Sequence, residues 1–200
     1  ISGEERHGIV HRLDKGTSGV MVVAKTNEAH LGLSKQLEDK SMGRYYLAIV
    51  DMPLKENIIV EKPIGRNSNN RLKMSIEENG RNAKSAFSKI ALSNNEKFEL
   101  VACKLYTGRT HQIRVHLSSM NRHILGDNLY GFKGELNKIN RFYLHAYYLY
   151  LTHPITNKQM SFKANLPKDI NEFLNKNFQK ENIDDKLNES YIINSFNTSI

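Results

Sequence analysis

The sequence predicts an α+β fold, in which a mostly antiparallel mixed sheet carries flanking helices. Short apolar runs with strand-like alternation recur along the chain between turn residues, whereas helical spacing is found in only a few segments. Strands and helices do not alternate regularly, which argues against a doubly wound parallel sheet. The 200 residues, of which 39% are hydrophobic, suit one globular domain with a sizeable core.

The N-terminal part is predicted to hold two strands with one helix between them. Residues 20–24, VMVVA, favour a buried strand, and the polar residues before them would form the loop that leads into it. Thr26 or Asn27 can cap a helix that runs to about residue 40. In the next strand Tyr46 and Tyr45 point to opposite faces, and both faces are apolar, so we expect it to be buried on both sides.

The middle of the chain is predicted to be rich in strands. Residues 57–64 favour a strand that ends near Pro63, and a long polar arm follows over 65–82. Residues 83–92 and 98–106 are separated by turn residues and alternate as strands do. They predict an antiparallel pair.

A second helix is predicted from Thr110, a suitable N-cap, to about residue 120. The remaining predicted elements are a loop over 126–134, strands over 143–151 and 159–166, and a helix that Pro167 opens. Beyond residue 179 the composition turns to Asn, Asp, Ser and Lys. This composition predicts a domain over residues 1–178 and a loosely held polar tail over 179–200.

The net charge of +8 lies on the body of the chain. Residues 168–200 hold four Lys against six acidic residues, so residues 1–167 carry +10. A basic body suits a polyanion such as nucleic acid, although a cationic surface without such a role is also common. Charge alone therefore leaves the partner open.

Two absences in these 200 residues narrow the class of protein. Cys103 is the single cysteine, so an internal disulfide and a multi-cysteine zinc site are excluded, and its apolar neighbours favour a buried strand thiol. No apolar run approaches the roughly 20 residues of a membrane span, and no signal peptide is seen. We expect a cytoplasmic protein without a membrane partner.

A lone carboxylate stands out in the loop before residues 20–24. Asp14 lies between Arg12 and Lys15, whose charges would favour its ionised form, and catalytic groups concentrate on loops carried by rigid strands. The alternative is an ordinary loop aspartate that forms a turn with Gly16 and Thr17. The chemistry of these residues leaves both interpretations open.

Six short blocks carry a resemblance to the RluA family of pseudouridine synthases. In order they are HRLDKGTSG at 11–19, RYYLA at 44–48, GR at 65–66 with NRLKM at 70–74, TGRTHQIRVH at 107–116, LGD at 125–127 with YG at 130–131, and LHA at 144–146. The third block is most similar to the RluD branch, whose members act on large-subunit ribosomal RNA. The resemblance implies a pseudouridine synthase fold with an active-site cleft.

The resemblance also implies roles for individual residues. Asp14 would be the catalytic carboxylate, Arg114 would pair with it, and Tyr46 would stack on the target base and help to move the proton at C5. Arg12 would fill the gap that the flipped nucleotide leaves. The candidate RNA contacts are Arg12, Lys15, Arg66, Arg71, Lys73, Arg109 and His111. The resemblance implies neither a cofactor nor a metal, and the partner would be RNA bound by a monomer.

Other functions compete with this interpretation. A metal site could be proposed from His7, His11 and Asp14, or from His111 and His116, although the second pair falls on different faces of a helix. The same chemistry on tRNA and a non-catalytic RNA-binding protein are further alternatives. The chain begins at Ile1 and lacks the strand and Asn-Lys-Pro segment that usually precede HRLD in the family, so we expect it to be N-terminally truncated. We also expect these residues to contain no S4 domain, the RNA-binding domain often found upstream in this family.

Overall fold

A seven-stranded sheet organises the residues that the computed structural model describes, 8–134 and 141–197. The strands are β1 (Ser18–Gly19), β2 (Gly43–Asp51), β3 (Ile58–Glu61), β4 (Ile64–Arg66), β5 (Met74–Ile76), β6 (Lys84–Leu92), β7 (Phe98–Leu105), β8 (Leu144–Thr152) and β9 (Gln159–Lys163). The helices are α1 (Asn27–Glu38), α2 (Gln112–Ser118), α3 (Lys168–Asn177), α4 (Glu181–Asp184) and α5 (Glu189–Asn194), with a 3-10 turn at Asn128–Tyr130.

The sheet order is β1-β8-β2-β7-β6-β3, and β9 also pairs with β8. Every pair in it is antiparallel except β1 with β8, and β4 and β5 form a separate antiparallel pair. The prediction of an α+β fold with a mostly antiparallel mixed sheet is therefore confirmed. The predicted β6–β7 pair and the double-sided burial of β2 are confirmed as well.

The main core lies around β2, β7 and β8, where both faces of the sheet are covered. Cys103 is fully buried in β7, as its apolar neighbours predicted. A smaller apolar cluster beneath α1 contains Leu33, Leu149 and Leu151, and Thr26 caps this helix as expected by accepting a hydrogen bond from the Ala29 N–H. No helix in the described parts of the chain combines the length and apolar character that crossing a membrane requires.

Residues 20–24 do not form the buried strand that their composition predicted. Ser18 and Gly19 pair with β8, and the Val20 N–H adds one hydrogen bond to the Ala146 carbonyl at 2.9 Å, but Met21 and Val23 are 40% and 47% exposed. The segment lies at the edge of the sheet, where alternate side chains face solvent. Apolar composition alone does not distinguish such an edge segment from a central strand.

Two other predicted boundaries are wrong. The expected polar arm over 65–82 contains the β4–β5 hairpin, because Ile64 is buried and its neighbours pair across to β5. The helix expected from Thr110 begins at Gln112 and ends at Ser118, and its N-cap is His111 in a left-handed conformation with φ of 56°.

The loosely held tail expected after residue 179 is not what the structure has. The short helices α4 and α5 bury Ile183 and Ile192, and Phe196 packs with them against the main core. The hydroxyl of Tyr147 in β8 also donates to the carbonyl of Leu187 at 2.9 Å. Residues 180–197 are therefore part of the packed structure, and the division at residue 178 stays a prediction.

Candidate active site

A cleft of about 600 Å³ opens beside the N-terminal end of β2. The loop before β1 forms one wall, the segment between β7 and α2 forms another, and β2 lies at the base. The end of α1 closes one side with Leu37, Glu38 and Lys40. Asp14, Tyr46 and Arg114, which were predicted from the sequence to be catalytic, all line this cleft.

The sheet brings Asp14 and Tyr46 together through a shared neighbour. Gly19 and Tyr46 are both in register with Ala146 of β8, on opposite sides of that strand. Gly19 has a φ of 119°, and a Cβ atom there would lie 2.1 Å from the Ala146 carbonyl oxygen, so only glycine allows this close approach. The loop that carries Asp14 is thereby fixed at the edge of the sheet, one strand away from β2.

Local contacts hold the loop in shape. The Thr17 N–H donates to the Asp14 carbonyl at 2.9 Å, which closes a turn. Arg141 donates to the Gly16 carbonyl at 3.1 Å and pairs with Asp169 through its other nitrogens. The turn expected from loop composition is thus present, and it holds the Asp14 side chain, 14% exposed, in the cleft.

Arg114 lies between two carboxylates in the buried wall. Its Nε and Nη2 donate to the two carboxylate oxygens of Asp127 at 2.7 and 2.9 Å, and its Nη1 donates to Oδ2 of Asp14 at a long 3.5 Å. Its guanidinium carbon lies 4.7 Å from the ring centre of Tyr130 and 4.3 Å from that of Phe142. Burial opposes the charged form, but Asp127 and then Asp14 outweigh it, and the pKa of Arg114 is raised.

Asp127 is the site residue that sequence reasoning missed. It is 2% exposed, and its carboxylate also accepts from the Tyr130 N–H at 3.3 Å. Its matched block, LGD at 125–127, was the available signal, but Asp127 lies thirteen positions after Arg114 in the chain. Nothing in the sequence spacing shows that the loop after α2 folds back onto that helix.

His111 is attached to the same group of side chains. Its Nδ1 shares a hydrogen bond of 2.7 Å with the Tyr130 hydroxyl, which also accepts from the Met74 N–H at 2.8 Å. Burial is the main cause that lowers the pKa of His111, although the nearby Asp14 acts in the opposite direction. The imidazole is therefore mainly neutral at neutral pH.

Tyr46 and Tyr45 occupy different environments, as the strand alternation predicted. Tyr46 lines the cleft, and burial raises its pKa to about 12. Its hydroxyl makes no hydrogen bond to any residue in the described ranges, and Tyr46 lines the cleft, so this hydroxyl is available to a ligand. Tyr45 instead packs in the core, with its ring centre 5.8 Å from that of Phe196.

The candidate RNA contacts divide into two groups. Arg12, Arg109 and His111 line the cleft, and the exposed Lys15 follows Asp14 in the same loop. Arg66, Arg71 and Lys73 lie together on the β4–β5 hairpin, where the Arg66 Nη1 donates to the Arg71 carbonyl at 2.7 Å. The second group is outside the wall of the cleft.

The residues considered for a metal site do not come together as ligands in the described parts of the chain. His116 is fully buried and uses both ring nitrogens, one with the Ser85 hydroxyl and one with the Lys62 carbonyl. The Nε2 of His11 accepts from the Val22 N–H at 3.1 Å. His7 lies outside the described residues, and among those that are described no three His, Cys, Asp or Glu side chains cluster as metal ligands.

The fold and the cleft agree with what comparison of the sequence finds. A family model described as RNA pseudouridylate synthase matches residues 1–119, and the chain belongs to that family. Its relatives then specify the branch. Proteins named ribosomal large subunit pseudouridine synthase D are 42% identical over 177 residues in Zymomonas mobilis and 40% identical over 180 residues in Nitrosomonas europaea. The resemblance to the RluA family and its RluD-like branch is confirmed.

The match covers only part of each relative. An uncharacterised RNA pseudouridine synthase of Helicobacter pylori strain J99 is 50% identical over 200 residues, which is 96% of this chain and 61% of that protein. For the Zymomonas protein the shares are 85% and 56%. The solved structure of human RNA pseudouridylate synthase domain containing 1 superimposes with a TM-score of 0.69 at 28% identity, covering 79% of this chain and 68% of that one. The chain thus spans roughly three fifths of the length of these curated relatives.

Proposed function

We propose that this chain isomerises uridine to pseudouridine in RNA, with Asp14 as the catalytic carboxylate. The observation that carries the proposal is the position of Asp14 in the cleft, within reach of the buried Arg114 and beside the free hydroxyl of Tyr46. Family membership supports the reaction type. The names of the Zymomonas and Nitrosomonas relatives favour large-subunit ribosomal RNA as the substrate.

The reaction breaks the bond between N1 of uracil and C1′ of the ribose and forms a bond between C5 and the same C1′. The proton on C5 is lost and N1 ends with a proton, so no redox change or added group is needed. One ionised carboxylate in a water-poor cleft can act either as a nucleophile or as a base at the sugar. Asp14 suits both routes, since Arg114 stabilises its charge.

Tyr46 contributes a ring for stacking on the base and a hydroxyl near the reacting atoms. Because burial raises its pKa to about 12, the hydroxyl stays protonated at neutral pH. It therefore donates a hydrogen bond, or passes the C5 proton on in the same step that it accepts it. It does not act as a phenolate.

The substrate must leave its helix before it can reach Asp14. Flipping a nucleotide costs a few kcal/mol, and a planar cation can stack in the space that is vacated. Arg12 is exposed, lines the cleft and precedes Asp14 by two residues, which suits that role. Lys15, Arg109 and His111 would meet the strand at the cleft, and Arg66, Arg71 and Lys73 would extend the contact along the hairpin.

Pseudouridine mapping in total RNA tests this function. Cells that lack the gene would be complemented with the wild-type gene, with Asp14→Asn, or with Asp39→Asn, a matched change at an exposed carboxylate that only caps a turn through Ser41. We expect one or more large-subunit sites to disappear in the deletion strain and with Asp14→Asn, and to return with Asp39→Asn. Purified protein should retain turnover in excess EDTA.

The other outcomes separate the alternatives. Loss of sites in tRNA only would change the substrate and keep the chemistry. No lost site, together with retained RNA binding, would identify a non-catalytic RNA-binding protein. A strict requirement for added Mg²⁺ or Zn²⁺ would favour the metal-dependent alternative. We also propose that the protein is cytoplasmic and monomeric. Its molecular mass in solution tests the monomeric state.

A further inference from the structure

Arg44 is a buried cation with no anionic partner in the described residues. It is 7% exposed and lines the cleft, yet its Nε is buried without a hydrogen bond. Two carboxylates line the cleft, those of Asp14 and Glu38. Both lie more than 4.0 Å from the Arg44 guanidinium, which is too far for an ion pair. Arg114, at similar burial, has both Asp127 and Asp14.

Burial of an unpaired guanidinium is unfavourable. Desolvation lowers the pKa of Arg44, although the nearby Tyr46 acts in the opposite direction. An arginine stays charged in proteins, so its charge must be compensated by a group beyond the described residues or remain a cost to folding. A ligand anion in the cleft would supply that compensation.

His11 presents a second unpartnered donor at the same cleft. Its Nε2 accepts from the Val22 N–H, so in the neutral ring the proton is on Nδ1, and this buried atom has no partner in the structure. Burial, and then the charge of Arg44, lower the pKa of His11 to about 4, so the ring is neutral at neutral pH. His11 and Arg44 both line the same cleft, so their unpartnered nitrogens belong to one site.

The geometry points to a phosphate subsite formed by the guanidinium of Arg44 with the Nδ1–H of His11. Its ligand is a phosphodiester group next to the nucleotide that meets Asp14 and Tyr46, and the identification of that ligand as RNA rests on the proposed function. A phosphate both accepts hydrogen bonds and neutralises the guanidinium. A uracil carbonyl could accept a hydrogen bond but would leave the buried charge uncompensated.

This subsite differs from the surface cations. Arg12 and Lys15 are exposed, so their attraction for RNA is screened by salt and is not tied to one phosphate. Arg44 is fixed by its burial, and Gly108 leaves it room, because a Cβ atom at that position would lie 2.7 Å from the Arg44 Nη1. We therefore expect Arg44 to fix the register of the strand relative to Asp14.

Binding of two small probes tests the subsite without any need for turnover. Uridine 3′,5′-bisphosphate and uridine would be titrated into the wild type, Arg44→Gln and Lys168→Gln, followed by NMR line positions. Lys168 is the matched control, since it is an exposed cation of α3 outside the cleft and pairs only with Glu172. We expect the bisphosphate to bind the wild type and Lys168→Gln at least tenfold more tightly than uridine does. Arg44→Gln should lose about tenfold for the bisphosphate and nothing for uridine.

Thermal melting of the free proteins is the second measurement. If Arg44 is an uncompensated charge, Arg44→Gln and Arg44→Met should melt at the wild-type temperature or above it. A clearly lower melting temperature for both variants would show that Arg44 supports the native packing, and would overturn the subsite. So would an equal loss of bisphosphate and uridine binding, which would make Arg44 a base contact.

The outcomes for this subsite and for the proposed function are distinguishable. If the wild type forms no pseudouridine but loses bisphosphate affinity with Arg44→Gln, the subsite stands and the function fails. If pseudouridine forms while Arg44→Gln binds the bisphosphate as the wild type does, the function stands and the subsite fails.

Discussion

Arg114 is anchored by Asp127 rather than by Asp14. Its two short hydrogen bonds, at 2.7 and 2.9 Å, go to the Asp127 carboxylate, whereas the contact with Asp14 is 3.5 Å long. Asp127 is 2% exposed and Asp14 is 14% exposed. The fixed Asp127–Arg114 pair therefore directs a remaining N–H towards a carboxylate that is partly exposed in the cleft.

Replacement of Arg114 by Met should destabilise the protein and abolish turnover. The change leaves the buried Asp127 carboxylate without its cation, and removal of one partner from a buried pair costs roughly 3–5 kcal/mol. Urea unfolding measures this loss in the free energy of unfolding. The exposed Lys168–Glu172 pair supplies the control, because Lys168→Met should change stability by only about 0–1 kcal/mol.

The double variant Arg114→Met with Asp127→Asn separates stability from chemistry. Removal of both charges should recover most of the lost stability, since no buried carboxylate is then left unpaired at position 127. Turnover should stay absent, because Asp14 still lacks its cation. Turnover at the wild-type rate in either variant would remove Arg114 from the reaction.

Tyr46→Phe should lower the rate of pseudouridine formation far more than it lowers RNA affinity. The ring remains for stacking, and only the hydroxyl that faces the cleft is lost. Tyr45→Phe is the control on the neighbouring position of β2, and its side chain packs in the core near Phe196. Single-turnover rates and binding isotherms should show little change for Tyr45→Phe. If both variants lose the same fraction of the rate, the hydroxyl of Tyr46 has no special role in the reaction.

Acid should weaken the fold through His11. The pKa of His11 is about 4 in the folded chain, against 6.5 for a free histidine, and the main cause is burial. The unfolded chain therefore binds the proton more readily between these values. Neutral His11 therefore contributes up to about 3 kcal/mol to the free energy of unfolding. This contribution is fully present above about pH 6.5 and is lost as the pH falls towards 4.

His11→Gln isolates this contribution. Glutamine keeps an acceptor for the Val22 N–H but cannot be protonated in this range. Chemical denaturation at a series of pH values should give a shallower loss of stability between pH 6.5 and 4 in the variant than in the wild type. Parallel curves would show that His11 is equally easy to protonate in the folded and unfolded chains.

The sequence predicted the structure correctly where the local residue pattern and the burial of those residues agree. The alternation in β2 separated Tyr46 from Tyr45, and Thr26 marked the start of α1. Apolar composition was insufficient at residues 20–24, because an edge segment and a central strand have the same residues and differ only in what covers them. Burial of that kind is set by the whole sheet.

The candidate site shows the same limit. Asp14 and Arg114 were found through motif residues, but the Asp127 partner depends on how the loop after α2 returns to the helix. Arg44 was part of a matched block, yet its isolation from every described carboxylate is a property of the packed cleft. Distances between segments that are far apart in sequence decide both cases.

The C-terminal helices were missed because they are too short to carry a periodic signal. Helices of four and six residues are not stable alone, so α4 and α5 depend on tertiary packing. Ile192 is 0% exposed within the main core, whereas Tyr191 next to it is 38% exposed. The neighbouring positions thus offer a matched pair of variants.

Ile192→Ala should destabilise the whole protein, while Tyr191→Ala should not. Loss of a fully buried isoleucine typically costs about 2–5 kcal/mol, because both the transfer of the side chain and the cavity left behind contribute. Deletion of residues 180–200 should cost more, since it also removes Ile183, Phe196 and the hydrogen bond from the Tyr147 hydroxyl. Urea unfolding of the three variants measures these differences. A deletion variant as stable as the wild type would show that this segment is the detachable tail that its composition predicts, and not a part of the core.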